Sequence, residues 1–335
     1  MKKFLYLLFY VCAGAAFISC ENVLEYQQEE QPCQLVMNAL LEADVTDNKV
    51  YLSLSGETMT SYLERGAVTV YVNGEWKETQ EAGYGVDQAG SEYLLFARLS
   101  TVFHPGDRIK IEAEGEAGEV GYKAFAEVSV PYPVEPIQVD TMTTRLWNGF
   151  EDISAIQYAI TLKDRPGEQN YFRLKIYSGT YWAEEIPEGW MPYDIETIYD
   201  HDEIVLSEGH YANENDDRYN VLLHNVKNVY SVFPDNQFKD RSYTLHVYTR
   251  YRPAKEFAYE WRHFIQTQAR ICIQSLTEEE YLYLRALTLL DSDEYEEALM
   301  EPVIVPNNVT GGLGFVSALS ETHLQMRIMQ KPPRE

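Results

Sequence analysis

Val68-Thr69-Val70-Tyr71-Val72-Asn73-Gly74-Glu75-Trp76 is the stretch on which the fold class turns. Three valines alternate with Thr69 and Tyr71, the period of a half-buried strand. Asn73-Gly74 follows at once. Both residues tolerate positive φ, so the pair reads as a tight hairpin turn, with Trp76 opening the return strand. The same pattern repeats on either side. Leu35 to Leu41 and Val50 to Leu54 are short β-type runs upstream. Tyr93 to Leu99 is another, and Pro105-Gly106-Asp107 reads as a turn. Ile109 and Ile111 alternate with Lys110 and Glu112. Ala124, Ala126, Val128 and Val130 alternate with Phe125, Glu127 and Ser129. Strands at this spacing predict an immunoglobulin-like β-sandwich over residues 34–132.

Pro131-Tyr132-Pro133-Val134-Glu135-Pro136 interrupts the pattern. Proline fixes φ and offers no sheet donor, so a domain boundary is expected here. Beyond it, residues 133–335 read as a larger antiparallel β-domain. Its strands are expected at Ala155 to Leu162, Tyr171 to Tyr177, Ile204 to Leu206, Tyr243 to Tyr251, Phe264 to Ile273, Val303 to Val305 and Phe315 to Met329. One helix is predicted near 277–290. Thr277 and Glu280 have capping-box spacing, and Leu276 and Tyr281 are placed for a hydrophobic staple. Leu282, Tyr283, Ala286, Leu287 and Leu290 then fall on one helical face. The expected class is mainly β with one docked helix.

The other end of the chain speaks to location. Lys2-Lys3 precede an apolar run from Phe4 to Phe17, and Phe17-Ile18-Ser19-Cys20 follows. A charged start, a short apolar core and a small residue before a cysteine read as a lipoprotein signal peptide over residues 1–19. The apolar run is too short to span a bilayer. Cys20 would carry the lipid, and several acyl chains on one residue give stable anchoring. Residues 20–33 are acidic and end beside Pro32, an expected flexible tether.

The chain has 53 acidic and 27 basic residues, a net charge of −26. Loss of Lys2 and Lys3 takes the side chains to −28. Such a surface repels phosphate backbones, so nucleic acid is excluded as a partner class. The 45% hydrophobic content excludes wholesale disorder. Four cysteines are present. Cys12 leaves with the signal and Cys20 takes lipid. Cys33 and Cys272 remain, either as a disulfide or as two separate thiols.

Catalytic patterns are sparse. The seven histidines (His104, His201, His210, His224, His246, His263 and His323) form no His-Glu-x-x-His pair. There is no Gly-x-Ser-x-Gly elbow and no Cys-x-x-Cys. His201, Asp202 and Ser207 are close in sequence, which is no evidence of a triad. Asn213, Asn215 and Asp217 alternate as calcium ligands do, but the glycine and distal glutamate of an EF-hand loop are missing, and a solvated acidic loop is the default. No cofactor, metal or catalytic residue is expected. Gly311, Gly312 and Gly314 read first as a tight turn or bulge between strands. The stretch from Tyr177 to Tyr199 is rich in aromatics with interspersed Gly and Pro. Tyr181, Trp182, Trp190 and Tyr193 are its candidate ligand-binding residues, since Tyr and Trp combine an apolar face with a hydrogen-bonding handle.

Ile273-Gln274-Ser275-Leu276-Thr277-Glu278-Glu279-Glu280-Tyr281-Leu282-Tyr283-Leu284 leads into Asn307-Asn308-Val309-Thr310-Gly311-Gly312-Leu313-Gly314-Phe315. Together with Gly66-Ala67-Val68-Thr69-Val70, Gly90-Ser91-Glu92-Tyr93-Leu94 and the proline-rich junction, this resembles a lipoprotein family of unknown function common in Bacteroidota (domain-of-unknown-function family forty-two forty-nine). Members typically continue with another glycine-rich turn where Val316-Ser317-Ala318 stands here. The resemblance implies an outer-membrane lipoprotein, often encoded beside a TonB-dependent outer-membrane receptor, and the expected position is outward-facing. It brings no catalytic residues. The expected function is an accessory protein that binds a ligand or partner. A structural or adhesive surface protein is the alternative, and a hydrolase with an unrecognised site is a third class.

Overall fold

The Asn73-Gly74 turn forms as its residue types require, with φ of 54° and 84°. In the computed structural model, the described residues are 32–56, 62–86, 93–135, 137–148, 150–181, 194–200, 203–206, 228–251, 266–291 and 303–329. The first half gives β1 (Leu35–Glu42), β2 (Asn48–Leu54), β3 (Arg65–Val72), β4 (Glu75–Glu81), β5 (Gly83–Val86), β6 (Tyr93–Leu99), β7 (Arg108–Ala117) and β8 (Val120–Ser129). Then follow β9 (Gln138–Trp147), β10 (Asp152–Lys163), β11 (Tyr171–Tyr181), β12 (Asp194–Ile195), β13 (Val232–Pro234), β14 (Ser242–Arg250) and β15 (Gln266–Leu276). Helix α1 (Glu278–Leu290) and β16 (Leu313–Met329) complete the order. The fold is mainly β.

Three sheets result. β12-β11-β15-β16-β1-β2-β6-β5 form one long sheet, with β13 added against β11. β4-β3-β7-β8 and β14-β10-β9 are separate smaller sheets. β16 is the joint of the long sheet. Its first half pairs in parallel with β1, from Val36↔Leu313 to Glu42↔Leu319. The remainder, from Leu319 onward, pairs antiparallel with β15, as in Cys272↔His323.

The alternation of β16 explains the layering. Val316 and Ala318 belong to a core with Met37, Ala39, Val68, Val70, Ile109, Ile111 and Ala126. Leu324, Met326 and Ile328 pack on a second core that includes Tyr158, Ile160, Leu174, Ile176, Leu245 and Val247. Residues of like parity on one strand share one side of a sheet. The two smaller sheets therefore cover the same side of the long sheet, one after the other. Each fully buried Leu, Ile or Val in these layers contributes about 1.5–3 kcal/mol.

Helix α1 lies on the opposite side. Thr277 caps it, its hydroxyl accepting from Glu280 N at 3.3 Å. Leu276 and Tyr281 join Leu284, Leu319 and Val232 in a small cluster, as the staple predicts. The buried positions are Glu280, Tyr281, Leu284, Ala286 and Thr288. The face expected from the sequence is rotated from this: Leu282 and Leu290 are exposed. Tyr281 fixes the rotation, because it stacks on Tyr171 of β11 with ring centroids 4.8 Å apart.

Three further expectations change. Residues 204–206 form a turn and 303–305 lie outside any strand. Val205 and Leu206 are nonetheless buried in the second core, which is why their apolar run resembled a strand. The stretch after the proline-rich junction forms β9, unread because its sequence is mostly polar. The junction itself is pinned. Val134 is buried, its carbonyl accepts from Thr322 Oγ1 at 2.6 Å, and Arg165 sits 4.3 Å from the Tyr132 ring. No helix among the described residues is long and apolar enough to cross a membrane.

Candidate functional site

The outer side of the long sheet carries polar chemistry that the core side lacks. In β11, Phe172, Leu174 and Ile176 face the second core. Arg173, Lys175 and Tyr177 must then face outward. Strand register sets Arg173 opposite Gln274 and Lys175 opposite Cys272. The next strand sets Gln274 opposite Glu321 and Cys272 opposite His323. One face thus gathers Arg173, Lys175, Arg270, Cys272, Gln274, Glu321 and His323, with Glu280 of α1 above it.

Much of this cluster is satisfied internally. Arg270 pairs with Glu321 at 2.7 Å, and Gln274 Nε2 donates to the other Glu321 oxygen at 3.1 Å. Arg173 Nε donates to the Tyr230 carbonyl at 3.2 Å. Glu280 accepts from Ser317 Oγ at 2.9 Å. In the capping box the Glu side chain bonds back to the cap backbone. Here its carboxylate is turned onto the sheet. Burial pushes the Glu280 carboxyl up, against the pull of Ser317 and Arg173. Burial, with Arg173 beside it, lowers the Lys175 ammonium. Two polar atoms of the cluster, Gln274 Oε1 and Arg270 Nε, are buried with no hydrogen-bond partner.

Cys272 and His323 on neighbouring strands look like a nucleophile and base. The electrostatics oppose that role. Burial, then the Glu321 carboxylate, push the Cys272 thiol up to about 12. A nucleophilic cysteine needs the reverse, because the thiolate is the reactive form. Nor does Cys272 pair with Cys33. Both thiols are free, Cys33 exposed before β1 and Cys272 buried within β15. The disulfide alternative is thereby corrected to two separate thiols. Among the described residues no group of three or more His, Cys, Asp or Glu could hold a metal.

Beside the cluster the same face opens into a groove of about 590 Å³. Its floor is β1 and β2, and the loop from Val45 to Asp47 and Tyr283 of α1 complete it. Leu40, Glu42, Tyr51, Tyr283 and Phe315 line it. Tyr283 stacks on Phe315 with centroids 4.6 Å apart and planes 15° from parallel. The volume lies within the range of small-molecule sites, where apolar walls meet a few placed polar groups. Glu42 lines the groove, and burial, then the Glu321 carboxylate, push its carboxyl up, against the pull of Lys175 and Arg270 of the cluster.

Trp182, Trp190 and Tyr193 lie outside the described residues, as does the side chain of Tyr181. Cys20, His201, Asp202, Ser207 and the Asn213, Asn215 and Asp217 set also lie outside them. The glycine block is structural. A Cβ on Gly312 would stand 2.3 Å from the Leu35 carbonyl oxygen, and one on Gly314 2.2 Å from that of Met37. Those glycines let β16 run beside β1. Groove and cluster were missed because their members come from β1, β2, β11, β15, β16 and α1. The one available signal was in β11, where Arg173, Lys175 and Tyr177 alternate with Phe172, Leu174 and Ile176.

The sequence model of a protein family described as "Domain of unknown function (DUF4249)" matches residues 21–325. No curated protein matches the chain.

Proposed function

The chain belongs to this family of unknown function, and we propose that it is a lipid-anchored accessory protein of the outer membrane that binds a ligand or partner through the groove beside α1. The groove carries this reading. It is open, of ligand size, walled by Tyr51, Tyr283 and Phe315, and lined by the Glu42 carboxylate. The adjoining cluster supports binding over catalysis, since its thiol is held in the unreactive form. The anchor follows from Lys2-Lys3, the apolar run and Cys20. The partner class, a TonB-dependent outer-membrane receptor, follows from the lipoprotein resemblance, and the sandwich nearest the tether is read as immunoglobulin-like.

The test is a mild-detergent capture from the native envelope through a C-terminal tag. Co-purification of an outer-membrane transporter barrel is the expected result. Capture of only matrix or host proteins would replace this reading with the adhesive one.

A further inference from the structure

Several of the groove's polar groups are committed to the protein itself. Asn48 Oδ1 accepts from Glu42 N at 2.8 Å and its Nδ2 donates to Glu42 O at 3.0 Å. Asn38 Oδ1 accepts from Phe315 N at 3.0 Å. Asp47 receives both its bonds from Arg98, at 2.7 and 2.6 Å. Lys49 lies 5.3 Å from the Phe96 ring. The Glu42 carboxylate differs. It is half-buried, it lines the groove, and it has no hydrogen bond or ion pair among the described residues. The charges around it are Glu321, Lys175 and Arg270 of the cluster, with Asp47 and Lys49 on the groove's rim.

A half-buried carboxylate without a partner is costly, and a cation relieves it. The walls suit the same ligand, because the faces of Tyr rings attract cations. Exposed Leu40 and the aromatic walls leave room for an apolar stem. A bare metal ion fits poorly, since one carboxylate is too few ligands. An anion would face Glu42 directly.

We infer that the groove takes an organic cation, an ammonium or guanidinium on a short apolar stem, with Glu42 as its counter-charge and Tyr51 and Tyr283 as its walls. This rests on the groove being a binding site. The net charge of −26 would also draw such ligands toward the protein.

The test is calorimetric titration of the mature chain, kept soluble by Cys20→Ser, with n-pentylammonium, 1-pentanol and pentanoate. The ammonium should bind at least tenfold more tightly than the alcohol, and pentanoate more weakly than either. Glu42→Gln should abolish that preference, and Glu42→Asp, which keeps the charge, should retain part of it. Nα-acetyl-lysine amide separates the two sources. Tighter binding than n-pentylammonium points to a lysine side chain of a peptide, and weaker binding to a free amine. Equal affinity for ammonium and alcohol would overturn the inference, as would no binding of any probe, or a preference that survives in a folded Glu42→Gln chain. If the preference is missing while groove variants still lose the envelope partner, only the ligand class is wrong. If those variants keep the partner, the groove reading itself has failed.

Discussion

Glu78 shows how one side chain couples the first core's edge to pH. Its carboxylate is buried and accepts from Thr101 N at 2.7 Å, Ser100 Oγ at 2.7 Å and Gln80 Nε2 at 2.7 Å. Burial opposes the charge, but these hydrogen bonds outweigh it and bring the carboxyl down to about 2. A depressed carboxyl stabilises the fold above its unfolded value of about 4.3, and that stabilisation is lost as pH falls toward 2. Glu78→Gln should therefore cost about 1–3 kcal/mol at pH 7 and almost nothing at pH 2. Urea titrations at the two pH values check this. Glu280 has the opposite sign. Its carboxyl is raised by burial, so its charge opposes folding at neutral pH. Glu280→Gln keeps a partner for Ser317, and its melting temperature at pH 7 should equal or exceed that of the parent. Gly314 is the third such residue. Its φ is +120° and an added Cβ would meet the Met37 carbonyl oxygen. Gly314→Ala should cost roughly 2–4 kcal/mol, read as a shifted denaturation midpoint.

The elements divide into those with a local signal and those without. Helix α1 has one: Thr277 and the staple mark its start within a residue. Thr277→Ala should lower stability by about 1 kcal/mol without changing the fold, measurable by thermal melts. β3, β4, β7 and β8 were legible for the same reason, since alternation plus Asn73-Gly74 and Pro105-Gly106 determine strands and turns locally. β9 was not, because an exposed polar strand has no apolar period. The face of α1 was misread because Leu282 and Leu290 score as well as Tyr281 and Leu284 until Tyr171 is known to lie opposite. The charged cluster was illegible for a stronger reason. Arg173 and Glu321 share a face only through the registers of β11, β15 and β16, which join residues 148 positions apart. The groove has the same origin, because the parallel pairing of β1 with β16 carries Phe315 to Asn38.

At the scale of the whole molecule, one long sheet carries two cores on one side and the helix, the groove and the charged cluster on the other. The proposed lipid on Cys20 would hold this body at a membrane through the acidic segment that follows it. Cys20→Ser removes the thiol and should abolish palmitate incorporation, with the protein recovered as uncleaved precursor or soluble exported material. Labelling that persists in that variant would contradict the anchor. On the function proposed above, the groove beside α1 is where the protein binds. Leu40 is 54% exposed in that groove, so Leu40→Trp can fill it without disturbing either core. The decisive measurement is the amount of outer-membrane partner captured by tagged parent and Leu40→Trp chains of equal melting temperature. Capture should fall at least tenfold when the groove is filled, and equal capture by both chains would rule the groove out as the binding site.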